Sequence, residues 1–169
     1  MLRGERISLH ELPPGEAAVL ADGESGDLTW LDGSPTPGSR AGATIVVRAA
    51  AAGLYRPGWG IYTIQRADGV TVGAIGFNSP PEGGRAEIGY NLSDSARGNG
   101  YATDAVRTLA AWALGQPEAE AVTALTEPGN LPSQQVLERA GFRRGPDTDT
   151  GLRSYELTAA GLRACDRAA

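Results

Sequence analysis

Six consecutive residues carry the clearest chemical signal in this chain: Arg97, Gly98, Asn99, Gly100, Tyr101 and Ala102. An extended, partly apolar run (Ala86-Glu87-Ile88-Gly89-Tyr90-Asn91-Leu92) leads into them, and an amphipathic helix pattern over residues 102–114 leads out. Strand, glycine-rich turn, helix is an arrangement that binds anions. The first turn of a helix has four amides without intrahelical partners, and the macrodipole adds partial positive charge there. Glycines at 98 and 100 let the main chain approach an anion with no Cβ in the way. Arg97 adds a fixed charge suited to phosphate oxygens. These residues predict a pyrophosphate cradle.

Three glycine-rich loops compete for that description. A Walker-type loop ends in Gly-Lys-Ser/Thr, a tripeptide absent from this sequence. The dinucleotide fingerprint G-x-G-x-x-G fails at its third glycine, where Thr103 stands, and lies early in its fold rather than past mid-chain. The third pattern, Arg/Gln-x-x-Gly-x-Gly/Ala, is met in full by Arg97, Gly100 and Ala102.

That third pattern resembles the acetyl-CoA signature of the GNAT superfamily of N-acetyltransferases. Residues 86–90 followed by 97–106 look like its RimJ/RimL-type branch, which acetylates protein N-termini and small amines. Downstream, Asn130-Leu131-Pro132-Ser133 and the run ending Gly141-Phe142 resemble that branch's second block. The resemblance covers residues 59–158 well and the first fifty only in element order.

The resemblance implies a role for each matching residue. Main-chain N–H groups of Gly98, Asn99, Gly100, Tyr101 and Ala102, with Arg97 beside them, hold the pyrophosphate of acetyl-CoA. Main-chain groups near Tyr90 and Leu92 bond to the pantetheine arm, which is peptide-like and adds to an opened strand edge as a strand would. Asn130 meets the arm, and Ser133 stands near the sulfur as proton donor. Capping of a helix start explains Asn130 and Ser133 equally well. Glu87 is the candidate base, directly or through water, with a salt bridge to Arg85 as the plain alternative. Three positions depart from the family pattern. Leu137 replaces a tyrosine often used as the acid, which favours Ser133 in that role. Asp94 replaces a frequent proline, and Asn99 a frequent Lys or Arg, which makes the cradle less positive.

The implied activity is acetyl transfer to a primary amine, of a small molecule or a peptide N-terminus, by direct attack in a ternary complex without metal. Two readings compete with it: a non-catalytic acyl-CoA-binding or sensor module, and a nucleotide-binding domain. A homodimer is common in the family.

The whole chain fits an intracellular enzyme of one domain, residues 1–169. Hydrophobic residues are 41% and charged residues 21%, a globular balance. Twenty acids against 15 bases give a net charge of −5, which speaks against nucleic-acid binding and suits a cationic substrate no better than plain solubility. One cysteine, Cys165, excludes an internal disulfide and a multi-cysteine metal site. The charged start (Arg3, Glu5, Arg6) does not read as a signal peptide, and no run approaches the roughly 18 apolar residues of a membrane span. A cytoplasmic location is expected.

The elements that must position these groups can be read in order. Residues 7–10 alternate as a strand, and Pro13-Pro14-Gly15 opens a helix to Ala21. Residues 22–42, rich in Gly, Ser, Pro and Asp, read as a mobile or short-helical segment, and 43–54 as a helix. Residues 59–66 and 70–78 form a hairpin around Ala67-Asp68-Gly69. After the Glu87 strand, helix 101–114 places Ala102, Ala105, Val106, Leu109, Trp112 and Ala113 on one stripe. Val122, Ala124 and Thr126 alternate as a strand, Asn130 starts a helix that Gly141 ends, and two antiparallel strands follow. The order β-α-α-β-β-β-α-β-α-β-β predicts a mixed α/β, GNAT-like fold with a mostly antiparallel twisted sheet flanked by helices. Trp30, Tyr55, Trp59 and Tyr62 fall where the family shapes its acceptor pocket, although core packing also accounts for them. The lone histidine, His10, reads as structural.

Overall fold

A computed structural model describes residues 1–168, apart from the side chains of residues 165, 166 and 168. Cys165 falls in the terminal helix, its side chain outside the described set. The elements are β1 (Leu2–Arg3), β2 (Ile7–Glu11), α1 (Pro14–Ala21), α2 (Pro37–Ala51), β3 (Ile61–Arg66), β4 (Thr71–Phe77) and β5 (Arg85–Leu92). A single 3-10 turn (Asp94–Ala96) follows, then α3 (Tyr101–Leu114), β6 (Ala121–Thr126), α4 (Leu131–Arg139), β7 (Arg143–Arg144), β8 (Arg153–Thr158) and α5 (Ala159–Ala168). The expected order is present, extended by the two-residue β1 and by α5.

The eight strands form one sheet in the order β1-β2-β3-β4-β5-β6-β8-β7. Every neighbouring pair is antiparallel except β5 and β6, which run parallel. Alternation along β5 explains how the layers divide. Ala86 and Ile88 are buried on one face with Val106, Leu109, Leu137 and Tyr155, beneath α3 and α4. On the other face Leu20, Trp30, Val46, Ile61 and Ala74 pack under α1 and α2.

Two regions differ from the sequence reading. Helix α2 begins at Pro37, six residues before the expected 43, because Thr36 caps it: the Thr36 hydroxyl oxygen accepts the Ser39 N–H at 3.0 Å, and Pro37 occupies the first turn. The glycines at 38 and 42 hid this start by lowering the local helix propensity. The segment before it is pinned. Thr71 donates its N–H to the Thr29 carbonyl at 2.8 Å and accepts from the Leu31 N–H at 3.0 Å, with Trp30 buried between them.

Asp104, in the first turn of α3, fastens the turn between β1 and β2 to that helix. Its carboxylate accepts the main-chain N–H groups of Glu5 (3.1 Å), Arg6 (2.7 Å) and Ile7 (3.2 Å). The N-terminal strands are thereby held against the glycine turn.

Candidate active site

Strands β5 and β6 touch only at their start. Arg85, Ala86 and Glu87 pair with Ala121, Val122 and Thr123, and no further pair joins them. Beyond this point β5 stays bonded to β4, and β6 to β8, so the sheet splits into a cleft. The antiparallel ladder fixes which main-chain groups face it. Asn78 donates to the Glu87 carbonyl at 3.0 Å and Ser93 donates to the Val72 carbonyl at 2.8 Å, so odd-numbered residues of this stretch bond to β4. Alternation turns the N–H and C=O groups of Tyr90 and Leu92 toward the opening.

The glycine turn closes the upper end of the cleft. Gly98 and Gly100 adopt φ of 79° and 77°, a region that side chains disfavour. Gly100 is the N-cap of α3, and the first bond of the helix runs from the Asp104 N–H to the Gly100 carbonyl at 3.1 Å. The N–H groups of residues 98–103 find no acceptor among the described residues. A run of six unengaged donors at a helix start is an anion cradle.

Charge at this cradle comes from more than the motif. Arg97 is exposed and paired with Asp94 at 2.9 Å, a contact worth little in solvent. The Asn99 side chain turns inward and donates to the carbonyls of Ala96 and Arg97, both at 3.1 Å, so it shapes the turn. Three arginines that the motif does not contain add charge beside Arg97. Arg6 approaches the Asn99 carbonyl at 3.4 Å, and with Arg107 and Arg139 it lines a cavity of about 500 Å³ against Gly98 and Gly100. Nothing local in the sequence marks Arg6 or Arg139, because the Asp104 clamp and the packing of α4 bring them there.

A second cavity, also about 500 Å³, is the cleft itself. Tyr90, Leu92, Tyr101, Ala102, Asn130 and Ser133 line it, together with the glycines of the turn. Asn130 caps α4 as expected, its Oδ1 accepting the Ser133 N–H at 3.2 Å. The contact that sequence reasoning missed is the Tyr90 hydroxyl, which lies 2.7 Å from Ser133 Oγ and 3.1 Å from the Ser133 carbonyl oxygen. Burial pushes the Tyr90 hydroxyl up to about 12 against the opposing pull of the Ser133 hydrogen bond, so it keeps its proton at neutral pH. Nearby, the Tyr155 hydroxyl is buried without a partner among the described residues. Leu137, where the family pattern has its tyrosine, is fully buried in the core.

Glu87 stands on the opposite face of β5 from Tyr90. Its carboxylate accepts from Asn78 Nδ2, while Arg85 pairs with Glu156 across the sheet and not with Glu87. The structure therefore unites Tyr90, Asn130 and Ser133 on one side of β5 and places Glu87 on the other. The split between β5 and β6 is the passage joining the two sides.

The aromatic side chains of the first half do not build a pocket. Trp30, Trp59 and Tyr62 are buried in the core. Tyr55 donates to Glu11 Oε1 at 3.0 Å, and Trp59 packs at an interplanar angle of 60° against Trp112 of α3, ring centroids 4.9 Å apart. His10 bonds to the Ser8 hydroxyl at 2.9 Å on β2, outside the cleft. No helix among the described residues is long and apolar enough to cross a membrane.

Known proteins share both sequence and shape with this chain. An uncharacterized N-acetyltransferase, YjdG of Bacillus subtilis (strain 168), is 42% identical over 72 residues, which are 42% of this chain and 43% of that protein. The chain spans less than half the length of the curated relatives it matches. Among solved structures, aminoglycoside acetyltransferase AAC(6')-Ib in complex with coenzyme A superposes with a TM-score of 0.66 at 20% identity, covering 95% of this chain and 99% of that one. RimJ of Mycobacterium smegmatis in complex with CoA-disulfide superposes with a TM-score of 0.65 at 20% identity, covering 99% and 93%. At such identities these two likenesses speak for the fold. The family model described as acetyltransferase (GNAT) domain matches residues 6–143, and with that match the chain belongs to the GNAT acetyltransferase family.

Proposed function

We propose that the cleft between β5 and β6 binds acetyl-CoA and that the protein transfers the acetyl group to a primary amine within a ternary complex. The carrying observation is the convergence of an unpaired strand edge at Tyr90 and Leu92 with six unengaged N–H groups at the start of α3. A pantetheine arm carries amides that can pair with such an edge, and its diphosphate suits such a helix start. Arg6, Arg97 and Arg139 supply charge around the diphosphate.

The chemistry follows from what stands on each side of the passage. The neutral amine attacks the thioester carbonyl, forming a C–N bond, and the C–S bond breaks as the tetrahedral intermediate collapses. The proton lost by nitrogen goes through water to Glu87. The departing thiolate takes the Ser133 proton, Ser133 regains one from solvent and Glu87 returns its own to solvent, so protons balance over the cycle. Tyr90 makes this possible through its choice of acceptor. When the Tyr90 hydroxyl donates to the Ser133 carbonyl oxygen, its own oxygen accepts the Ser133 hydroxyl proton in a hydrogen bond. When Tyr90 donates to Ser133 Oγ instead, the Ser133 proton is released toward the sulfur. The tyrosine missing at position 137 is thus replaced by one reaching Ser133 from β5, and this supports catalysis over the acyl-CoA sensor reading.

Turnover tests the reading. Incubated with acetyl-CoA and a panel of amines and N-terminal peptides, the protein is expected to release one thiol per amine acetylated. CoA raising the melting temperature without thiol release would favour a binding module. Stabilisation by ATP or NAD, and not by CoA, would point to a nucleotide-binding domain.

A further inference from the structure

On the face of β5 that carries Glu87, beneath α2, lies a slot of about 230 Å³. Gly38, Ala41, Gly42 and Ile45 of α2 form its roof, and Ile61, Ala74, Gly76 and Gly89 contribute to its floor. None of its lining residues is ionisable except Tyr90, whose side chain belongs to the opposite face. Its polar side chains are Asn78 and Asn91. Asn78 gives Nδ2 to Glu87, which leaves its Oδ1 as an acceptor. Asn91 Oδ1 receives the hydroxyl protons of Thr36 and of the fully buried Ser39, the latter at 2.7 Å. That leaves its Nδ2 as a donor beside Gly38, where an added methyl would lie 2.9 Å from that nitrogen.

We propose that this slot is the acceptor site and that it selects a primary amine whose neighbouring group is compact and uncharged; this rests on the acetyltransferase reading. The amine nitrogen sits toward Asn78 and Glu87, and the adjoining group enters among the glycines and aliphatic side chains. Asn91 offers its N–H to a neutral oxygen such as a carbonyl or hydroxyl. Beyond Glu87 at its end, the slot's lining offers a polycation no counter-charge, and burying an unpaired charge is costly. The volume also lies below the roughly 300–1,000 Å³ of sites for drug-sized ligands, so a multi-ring acceptor does not fit inside.

Gly89 provides the test. A Cβ placed there meets nothing within 4 Å, so the backbone accepts a side chain at a position that lines the slot. With saturating acetyl-CoA, tripeptide amides beginning with Ala, Ser or Val are expected to show kcat/KM at least tenfold above those beginning with Lys, Asp or Trp, and above kanamycin. Gly89→Leu is expected to lower kcat/KM for the alanine peptide at least 30-fold while the stabilisation by acetyl-CoA persists. Equal or better use of the lysine peptide or kanamycin, or an unaffected Gly89→Leu enzyme, overturns the proposal. Thermal shift with CoA present separates the two readings. Stabilisation by alanine amide in the wild type, lost in Gly89→Leu, upholds the slot even without turnover, whereas no stabilisation and no turnover overturns it.

Discussion

Gly100→Val is expected to raise the dissociation constant for acetyl-CoA at least 100-fold while the protein stays folded. Gly100 holds φ of 77° at the N-cap of α3, and the nearest atom to a Cβ there is 3.9 Å away, so the obstacle is conformational and not steric. An L-residue pays about 1–2 kcal/mol in the left-handed region, and a β-branched one more. The substituted chain relieves that strain by rotating out of the region, which swings the N–H groups of residues 98–103 off their common target. Each amide lost from an anion weakens binding by about 1.5–3 kcal/mol in the charge-assisted case. Two such losses already exceed the 100-fold mark. Isothermal titration gives the affinity. The unliganded melting temperature should fall by roughly 4–8 °C for about 2 kcal/mol of strain in a chain of this size. Gly100→Ala should lie between wild type and valine in both measurements, because alanine meets the smaller part of the strain.

Ser133→Ala is expected to lower kcat about 100-fold, within the usual range for loss of a positioned proton donor, and to leave KM for acetyl-CoA within threefold. Tyr90→Phe keeps the ring in its place against the core and removes only the hydroxyl, 2.7 Å from Ser133 Oγ. It should lower kcat at least tenfold with the same unchanged KM. The double variant should be no slower than Ser133→Ala alone, since Tyr90 acts through Ser133 and residues working as a unit are not additive. A packing role for Tyr90 would add its own cost to the double variant. The Tyr90 deficit should also be constant between pH 7 and 9, because burial holds that hydroxyl up at about 12 and it stays protonated throughout.

Much of this site was readable from the chain because its demands are local. The φ values at Gly98 and Gly100, the donors of a helix start and the cap of Asn130 on Ser133 are properties of four or five adjacent residues. The stripe on α3 is likewise a local periodicity: Ala105, Val106, Leu109 and Ala113 are buried as expected, while Ala102 and Trp112 at its edges are only partly buried, Ala102 lining the cleft. What escaped depends on long-range register. Tyr90 and Ser133 are 43 residues apart and meet only because α4 packs over the split sheet. Arg6 reaches the glycine turn through the Asp104 clamp across 98 residues. The early start of α2 was hidden by glycines whose purpose is spatial: a Cβ on Gly42 would strike Ile61 at 2.6 Å, so close packing on the sheet overrides helix propensity there. The Asn99 side chain also escaped the sequence, which speaks only for its main-chain N–H: its amide donates to two carbonyls of its own turn.

The central claim is the place of the co-substrate, and a crystal structure with bound acetyl-CoA measures it directly. The account predicts diphosphate oxygens at about 2.7–3.2 Å from main-chain nitrogens of the turn at residues 98–102. It also predicts arm amides paired with Tyr90 and Leu92, and the sulfur beside Ser133. Acetyl-CoA bound with its diphosphate away from that turn, leaving the opening between β5 and β6 empty, would contradict it.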